Sequence, residues 1–486
     1  MRSGRRGLVV GATLVAVVVA AGLVARAGGS ARESGGRGIA TRNGKKVSAA
    51  TLPVAQTFFV GNHALEPTLG LDPAGNIYFA ALGRDGTAGL SATQIMRSKD
   101  QGKSWDVATP RTLGQDTMPI TLDPYIYVDE NIDGDNSRIF TIDLTVACSY
   151  LSFSDDGGDS WTTNPLACGR PVNDHQTLFS GPPVSSTTLG YPNVLYYCFN
   201  DVGSSSCTKS LDGGLTFSPT GRPPFAGVEP GSDRPGFFGV DGFCGGLHGH
   251  GAVGPEGTVY LPREFCGLPQ LAVSKDEGLS WETVTVSKKI LSTSKPTGGA
   301  DPSVAVDAKG NVYYMWISAK NRLPYLAVSK NEGKTWSDPV LVNIPGLKET
   351  NLPQLDARGV GKIAFVYYGS TNSPYPKCKL ECEATDYKDT GWNGYIGMSA
   401  NALNPNPTFY TSTVNDPNDP MVRGRCGPGR CQTEVLDFID VEIGVDGIPY
   451  GAFVDDCMRL CIKGGPSDPQ DYEGLMSKLV RGPSLR

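Results

Sequence analysis

Carboxylates and imidazoles recur along this chain where polar segments give way to apolar, strand-like runs. His63 and Glu66 come just before Leu69, and Asp123 before Tyr125-Ile126-Tyr127. Asp174-His175-Gln176 lead into Thr177-Leu178, His248-Gly249-His250 into Ala252-Val253, and Asp301 into Val304. Gln354 leads into Leu355, and Asp437 and Asp440 into Val441. All four histidines of the chain sit at such positions. Imidazole changes charge near neutral pH and ligates metals, and carboxylates suit both tasks, so the pattern points to an acid/base or metal cluster. Glycoside cleavage needs two carboxyls, about 5 Å apart for retention or about 6.5 to 9.5 Å apart for inversion. The candidate catalytic set is Glu66, Asp174, His175, His248, His250, Asp301 and Asp437. The alternative is that these groups bond neighbouring backbone and line a polar channel. His248 and His250, two residues apart on a strand, share a face under either reading.

The elements that must position them are short strands. Seven segments read as an apolar strand, a turn and a second strand rich in Tyr, Val or Ile: Leu69 to Tyr78, Ile120 to Ile142, Thr177 to Tyr197, Val253 to Tyr260, Val304 to Tyr313, Leu355 to Tyr367 and Ile443 to Tyr450. Five are followed by one phrase, Ser-x-Asp-x-Gly-x-Ser/Thr-Trp/Phe, beginning at Ser98, Ser154, Ser210, Ser274 and Ser329, with Asn331 replacing Asp in the last. Ser399-Ala400-Asn401 reads as an eroded sixth copy, and Ser477 as the mark of a seventh. The starts lie 56, 56, 64 and 55 residues apart, which suits one four-stranded blade and exceeds a helical solenoid unit. Asp and Gly supply the turn, a hydroxyl bonds turn backbone, and the aromatic pins the turn to the sheet.

The phrase resembles the Asp-box, or BNR repeat, of sialidase-like β-propellers, and the resemblance spans roughly residues 60 to 460 through its repeats. It implies an all-β propeller of seven blades, with six as the alternative. Thr51 to Val60 is expected to complete the last blade, because an open sheet edge would otherwise be exposed. Sialidases hold the substrate carboxylate with three arginines, the first in an Arg-Ile-Pro motif on the first blade. Here that segment reads Gly61-Asn62-His63-Ala64-Leu65-Glu66-Pro67. No catalytic position is carried over, and an ordinary sialidase is disfavoured. Propeller ligands sit near the central channel, which is where the acid and imidazole set would lie. The turn aspartates Asp100, Asp156, Asp212 and Asp276 belong to blade peripheries and are structural.

Of 486 residues only 19% are charged, while Gly 62 and Pro 36 mark a turn-dense β protein. Arg2, Arg5 and Arg6 precede an apolar run from Gly7 to Val24, followed by Ala25-Arg26-Ala27. Residues 1–27 therefore read as a signal peptide, with an N-terminal membrane anchor as the alternative. Residues 28–50 read as a flexible basic linker, 51–465 as the propeller, and 466–486 as a C-terminal tail or last strand. The expected location is extracellular, secreted or anchored at the outer face of the membrane, with membrane contact only through an uncleaved N-terminal segment. Losing residues 1–27 takes the formal charge from -6 to -10, a poor basis for nucleic-acid binding. Behind an export signal the twelve cysteines imply disulfides. Sequence proximity suggests Cys148-Cys168, Cys198-Cys207, Cys244-Cys266, Cys378-Cys382, Cys426-Cys431 and Cys457-Cys461.

Asp129-Glu130-Asn131-Ile132-Asp133-Gly134-Asp135 follows the first half of a calcium loop, although Phe140 stands where the twelfth-position Glu belongs. Asp129, Asn131, Asp133 and Asp135 are candidate Ca2+ ligands, and the channel histidines a second metal candidate. No cofactor is required by either reading; without an ion the segment is an acidic turn. Three long loops carry Phe237 and Phe238, Tyr375 and Trp392, and Arg423 and Arg425. These residues could stack on sugar faces or hold an acidic group, or pack the loops onto the propeller. The reading favoured from sequence is an exported propeller binding a glycan or an extracellular or cell-surface protein at its channel face. The alternative is a carbohydrate-active hydrolase or lyase using the axial His/Asp/Glu cluster.

Overall fold

A computed structural model describes residues 27–28, 32–33, 38–61, 64–84, 91–110, 123–133, 136–145, 148–166, 173–201, 205–223, 225, 247–293, 301–375, 377, 384–424, 437, 439–457 and 473–486. Their strands form seven antiparallel sheets. The innermost strands are Leu65–Leu71, Pro124–Asp133, Asp174–Gly181, Ala252–Val253, Ser303–Val306, Glu349–Ala357 and Asp440–Ile443, in blades 1 to 7. Each touches the next, and that of blade 7 returns to that of blade 1, closing the ring of a seven-bladed β-propeller. The seven strand pairs read from sequence supply the first two strands of the seven blades. Closure is made as expected: Ala55–Phe59 pairs with Glu473–Leu479, so the N-terminal strand completes the blade built by the C-terminus.

Strand alternation explains the packing. In Ile77–Arg84, Ile77, Phe79 and Ala81 pack toward blade 7 while Tyr78 and Ala80 pack toward blade 2. Both faces of such a strand are buried, which is why it reads as a continuous apolar run. Each of the seven blade junctions has its own apolar cluster. At six junctions a side chain of one inner strand accepts a backbone N–H from the next. The acceptors are Thr68 for Ile126 at 3.0 Å, Tyr127 for Ser180 at 3.2 Å and Thr177 for Gly251 at 3.2 Å. Ser303 for Leu355 at 3.0 Å, Asp356 for Ile443 at 2.7 Å and Asp440 for Leu69 at 2.9 Å complete the set.

The five repeated turns are built alike. In the first, Ser98 Oγ accepts the Gly102 N–H at 2.8 Å, Asp100 accepts the Ser104 N–H at 2.8 Å and its hydroxyl at 2.6 Å, and Trp105 Nε1 donates to Gly102 O at 3.1 Å. Asn331 substitutes for Asp because its Nδ2 donates to Thr335 Oγ1 at 2.9 Å, reversing the hydroxyl's role. The turns also fasten blades. Arg97 and Arg138 donate to Gly157 O and Gly213 O of the following blade's turn, at 2.6 and 2.9 Å. Glu277 accepts three consecutive N–H groups, from Val184, Ser185 and Ser186, and pairs with Lys209 Nζ at 2.8 Å.

Several boundaries differ from expectation. Residues 39–46, placed in the flexible linker, form a hairpin: Ile39–Arg42 pairs with Phe409–Thr413 on the outer edge of blade 6, then with Lys45–Lys46. Asn43 and Gly44 both have positive φ, 45° and 72°, the backbone a two-residue hairpin turn requires. In 466–486, read as a tail or last strand, Glu473–Leu479 is a full strand of blade 7, Leu485 is buried and Arg486 donates to the Asp446 carbonyl. Ser477 lies inside that strand opposite Thr57 and marks no turn. Ser399 and Asn401 do keep the eroded turn's contact, at 3.1 Å. Cys198 and Cys207 form the expected cross-strand disulfide. Cys266 and Cys457 are also disulfide-bonded, to partners outside the described residues. At least one cysteine of each other expected pair, and all but Ala27 of the leader, lies outside them too. Among the described residues no helix is long and apolar enough to cross a membrane.

Candidate functional site

The inner strands share one direction, so their starts converge at one mouth of the channel and their ends at the other. Between the mouths lies a cavity of about 210 Å³ lined from all seven blades, including Leu69, Tyr125, Leu178, Ser303, Gln354 and Asp440. The end mouth holds a second cavity of about 320 Å³. Arg358 crosses it from blade 6 to blade 2, forming a bidentate ion pair with Glu130 at 3.0 and 2.7 Å.

At the start mouth the backbone is bent to aim side chains inward. Pairing slips between Leu65 and Thr68, between Asp174 and Thr177, and between Asn351 and Gln354. In each bulge one non-glycine residue is left-handed: Glu66 at φ 50°, His175 at 55° and Leu352 at 51°. Such backbone costs on the order of 1–3 kcal/mol and persists where surroundings enforce it. In blade 4 the tight spot is Gly249. A Cβ there would lie 2.0 Å from the Pro302 carbonyl of blade 5, so only glycine lets the His248 and His250 backbone pass.

The structure brings the acid and imidazole set together. Asp123 Oδ2 accepts the His175 N–H at 2.9 Å, and Glu66 Oε1 accepts the Asp437 N–H at 3.0 Å. The His175 ring places Nε2 3.4 Å from Asp301 Oδ2 and donates through Nδ1 to the His248 carbonyl at 2.7 Å. The His175 and His248 rings meet edge to face, centroids 6.4 Å apart. His250 sits deeper, edge to face with Tyr125 at 4.8 Å, and lines the channel. Glu66, Asp123, His175, His248 and Asp301 are buried, whereas Asp174 and Asp437 are half-buried. His63 lies outside the described residues.

Burial and mutual repulsion set the charges. Burial, then the Asp123 and Asp437 carboxylates, hold Glu66 well above the usual range. Burial with the Asp174 charge raises Asp123 to about 7. Burial likewise raises Asp301 to about 6 and, aided by neighbouring carboxylates, Asp437 to about 8. Burial disfavours the His175 imidazolium, but Asp301, Asp437, Asp174 and Asp123 outweigh it and raise its pKa to about 9. Burial lowers His248 and His250 to about 3, so both are neutral. The mouth thus combines a carboxyl whose neutral form burial favours, at Glu66, with an imidazole whose charged form the carboxylates favour, at His175.

Other candidates are placed elsewhere. Asp129 turns its carboxylate toward blade 3, accepting from Ser180 at 2.7 Å, Tyr191 at 2.8 Å and Asn193 at 2.9 Å. Beyond a register shift after Asp129, Asp133 pairs with Asn136. The side chains of Asn131 and Asp133, and Asp135 entirely, lie outside the described residues. Among those described, no three His, Cys, Asp or Glu side chains converge to hold a metal. Tyr375 and Trp392 are buried: Trp392 donates to Gly424 O at 2.7 Å, and Tyr375 donates to the Lys320 carbonyl and carries the Arg322 guanidinium 5.5 Å from its ring. They pack loops onto blades and offer no sugar platform. Arg423 sits in a two-residue strand beside Gly391–Ser399, while Phe237, Phe238 and Arg425 lie outside the described residues. Sequence reasoning passed over Arg263, whose buried guanidinium faces the cluster's Asp301 and donates to Ser205 Oγ at 3.0 Å. It also passed over Asp356 and Glu442 in the channel, which alternation along their strands would have placed there.

No protein-family profile and no curated protein matches the chain. Solved structures similar to it include the Hadza microbial sialidase Hz136, at 15% identity and TM-score 0.40, covering 76% of this chain and 71% of that one. The Penicillium chrysogenum alpha-L-arabinanase complexed with arabinobiose aligns at 12% identity and TM-score 0.39, covering 76% and 98%. A mutant of the Aleuria aurantia lectin in complex with Fucalpha1-6GlcNAc aligns at 10% identity and TM-score 0.40, covering 69% and 93%.

Proposed function

We propose that this chain is an exported Asp-box propeller that cleaves glycosidic bonds at the start mouth by general acid–base catalysis. The observation that carries the reading is the meeting of Glu66, Asp437 and His175 in one cluster. Glycoside cleavage needs a carboxyl that keeps its proton at working pH and a second carboxyl that meets water or the sugar. Burial pushes Glu66 toward the first property, and half-buried Asp174 has the exposure for the second. His175, tied to Asp301 and Asp123, positions the cluster and supplies a fixed positive charge. A carboxyl cluster this dense is costly to fold and has no stabilising role that apolar residues would not fill better.

A second reading, glycan binding at the same mouth without cleavage, is favoured by the near-complete burial of Glu66, Asp123 and Asp301. The two separate in one experiment. The full chain is screened against a glycan array and in parallel for product release from the same glycans, with E66Q beside the wild type. Binding with release that E66Q abolishes supports the catalytic reading; binding without release supports the second. No binding and no release would overturn both.

A further inference from the structure

We infer that the start mouth selects an amine-bearing sugar, holding its ammonium group between Glu66 and Asp437. The inference rests on the reading of this mouth as a glycan site and adds the substrate class. The mouth is a surplus of acceptors. Among the described residues, the five carboxyls of Glu66, Asp123, Asp174, Asp301 and Asp437 meet two cations, His175 and Arg263. Arg263 is engaged by Ser205 and by the rings of Phe225 and Phe265, at 5.2 and 5.3 Å, and by the charges of Asp301, Glu264 and Asp201.

Glu66 Oε2, Asp437 Oδ1 and His248 Nε2 are buried atoms with no hydrogen-bond partner among the described residues. His248 Nδ1 lies 3.0 Å from the Gly249 carbonyl, which only accepts, so Nδ1 carries the proton and Nε2 presents a lone pair. An unpartnered buried acceptor costs about 1–3 kcal/mol. In the free protein burial pushes both carboxyls toward their protonated forms, which reduces that cost. A primary ammonium answers the deficit better than a proton does, because it brings three N–H donors together with its charge. A sugar carboxylate or sulfate would bring further acceptors and no donor to the same place. Among the described residues the other charged or titratable groups there are His175, held by Asp301 and the His248 carbonyl, Arg263, Glu264, which accepts the Gly267 N–H, and His250, which sits deeper against Tyr125.

The test uses the full chain and three trisaccharides of similar size: a glucosamine trimer, its N-acetylated form and a glucuronate-containing trimer, followed by isothermal titration. Near pH 7.5 the glucosamine trimer is expected to bind at least about tenfold tighter than either other, the equivalent of about 1.4 kcal/mol. Repeating the titration in buffers of different ionisation enthalpy is expected to show release of about one proton per ligand, displaced from Asp437 while Glu66 keeps its own. Near pH 5 the preference is expected to vanish. E66Q and D437N are each expected to remove it, and if neither variant folds, the wild-type preference and proton release still decide. Equal affinity for amine and N-acetyl forms, preference for the glucuronate trimer, or binding without proton release would overturn the inference. Cleavage of neutral glycans with no amine preference would overturn it alone and leave the glycosidase reading intact. Tight amine binding with no cleavage of any glycoside would keep the inference and remove the catalytic reading.

Discussion

Replacing Asp301 by Asn tests whether the cluster works as an electrostatic unit. Asp301 Oδ2 lies 3.4 Å from His175 Nε2 and is the largest of the four carboxylate influences that raise His175 to about 9. At that distance and an effective dielectric constant near 20, the pair interacts by about 5 kcal/mol, or roughly 3.5 pKa units. The charge centres lie further apart than the contact atoms, and Asp437, Asp174 and Asp123 remain, so about half of that, ~2 units, is the expected fall. D301N should therefore bring His175 close to neutral pH, while His248 and His250 stay unprotonated. The chain has only four histidines, so imidazole carbon-bound proton resonances followed by NMR from pH 4 to 10 resolve them individually. One wild-type resonance should titrate near 9 and move by ~2 units in D301N. A wild-type resonance for His175 near its ordinary 6.5, or no movement in D301N, would refute the electrostatic reasoning.

Folding stability should fall as pH rises from about 6.5 to 8.5. Asp123, Asp437 and Asp440 have folded pKa values raised to about 7, 8 and 7, burial being the leading cause in each. A carboxyl raised on folding stabilises below its unfolded pKa, and that contribution is lost as pH climbs through the folded value. His175, also raised, loses its contribution toward 9, and the depressed His248 and His250 contribute constantly above 6.5; denaturant melts that were flat or rising across this window would contradict the assignment. Glu277→Ala leaves Lys209 and three N–H groups without their acceptor and should cost about 3–5 kcal/mol in chemical denaturation; a loss below about 1 kcal/mol would show that the blade 3–4 fastener is not energetically used. Gly249→Ala drives a Cβ into the Pro302 carbonyl and should cost about 1–3 kcal/mol and displace the His248 and His250 resonances, whereas an unchanged melt and spectrum would mean that blades 4 and 5 approach each other less closely.

Much of the frame could be read from residue order. Alternation and Asp/Gly turns located the seven strand pairs, and the same turns, repeated every 55 to 64 residues, implied blades. The meeting of Glu66, Asp174, His175, His248, Asp301 and Asp437 followed from their shared position at strand starts. The bulges that aim Glu66 and His175 were less visible, because neither residue favours a left-handed backbone. Pro67 and Pro353, each directly after a bulge residue, were the available signal, since proline inside a strand marks a bulge or an edge. Asn43-Gly44 was a plain hairpin signal hidden by the basic composition around it. Tyr375, Trp392 and Asp129 were read as loop residues, but Trp392 and Asp129 lie in strands, and composition alone does not say whether such a side chain faces solvent or a neighbouring blade. The Arg358–Glu130 bridge, 228 residues apart in sequence, depends on ring closure and has no local signature.

The proposal that Glu66 donates the proton in glycosidic cleavage at the start mouth stands or falls with one comparison. Turnover of aryl glycosides is measured for wild type and E66Q, with leaving groups from strongly activated to unactivated. A lost general acid typically costs about 10²- to 10⁴-fold where the leaving group needs protonation, and little where it does not. E66Q is therefore expected to lose on the order of a hundredfold or more on the unactivated substrates and to retain most activity on the most activated one. Equal loss on every leaving group, or full E66Q activity on the unactivated glycosides, would remove Glu66 from that role.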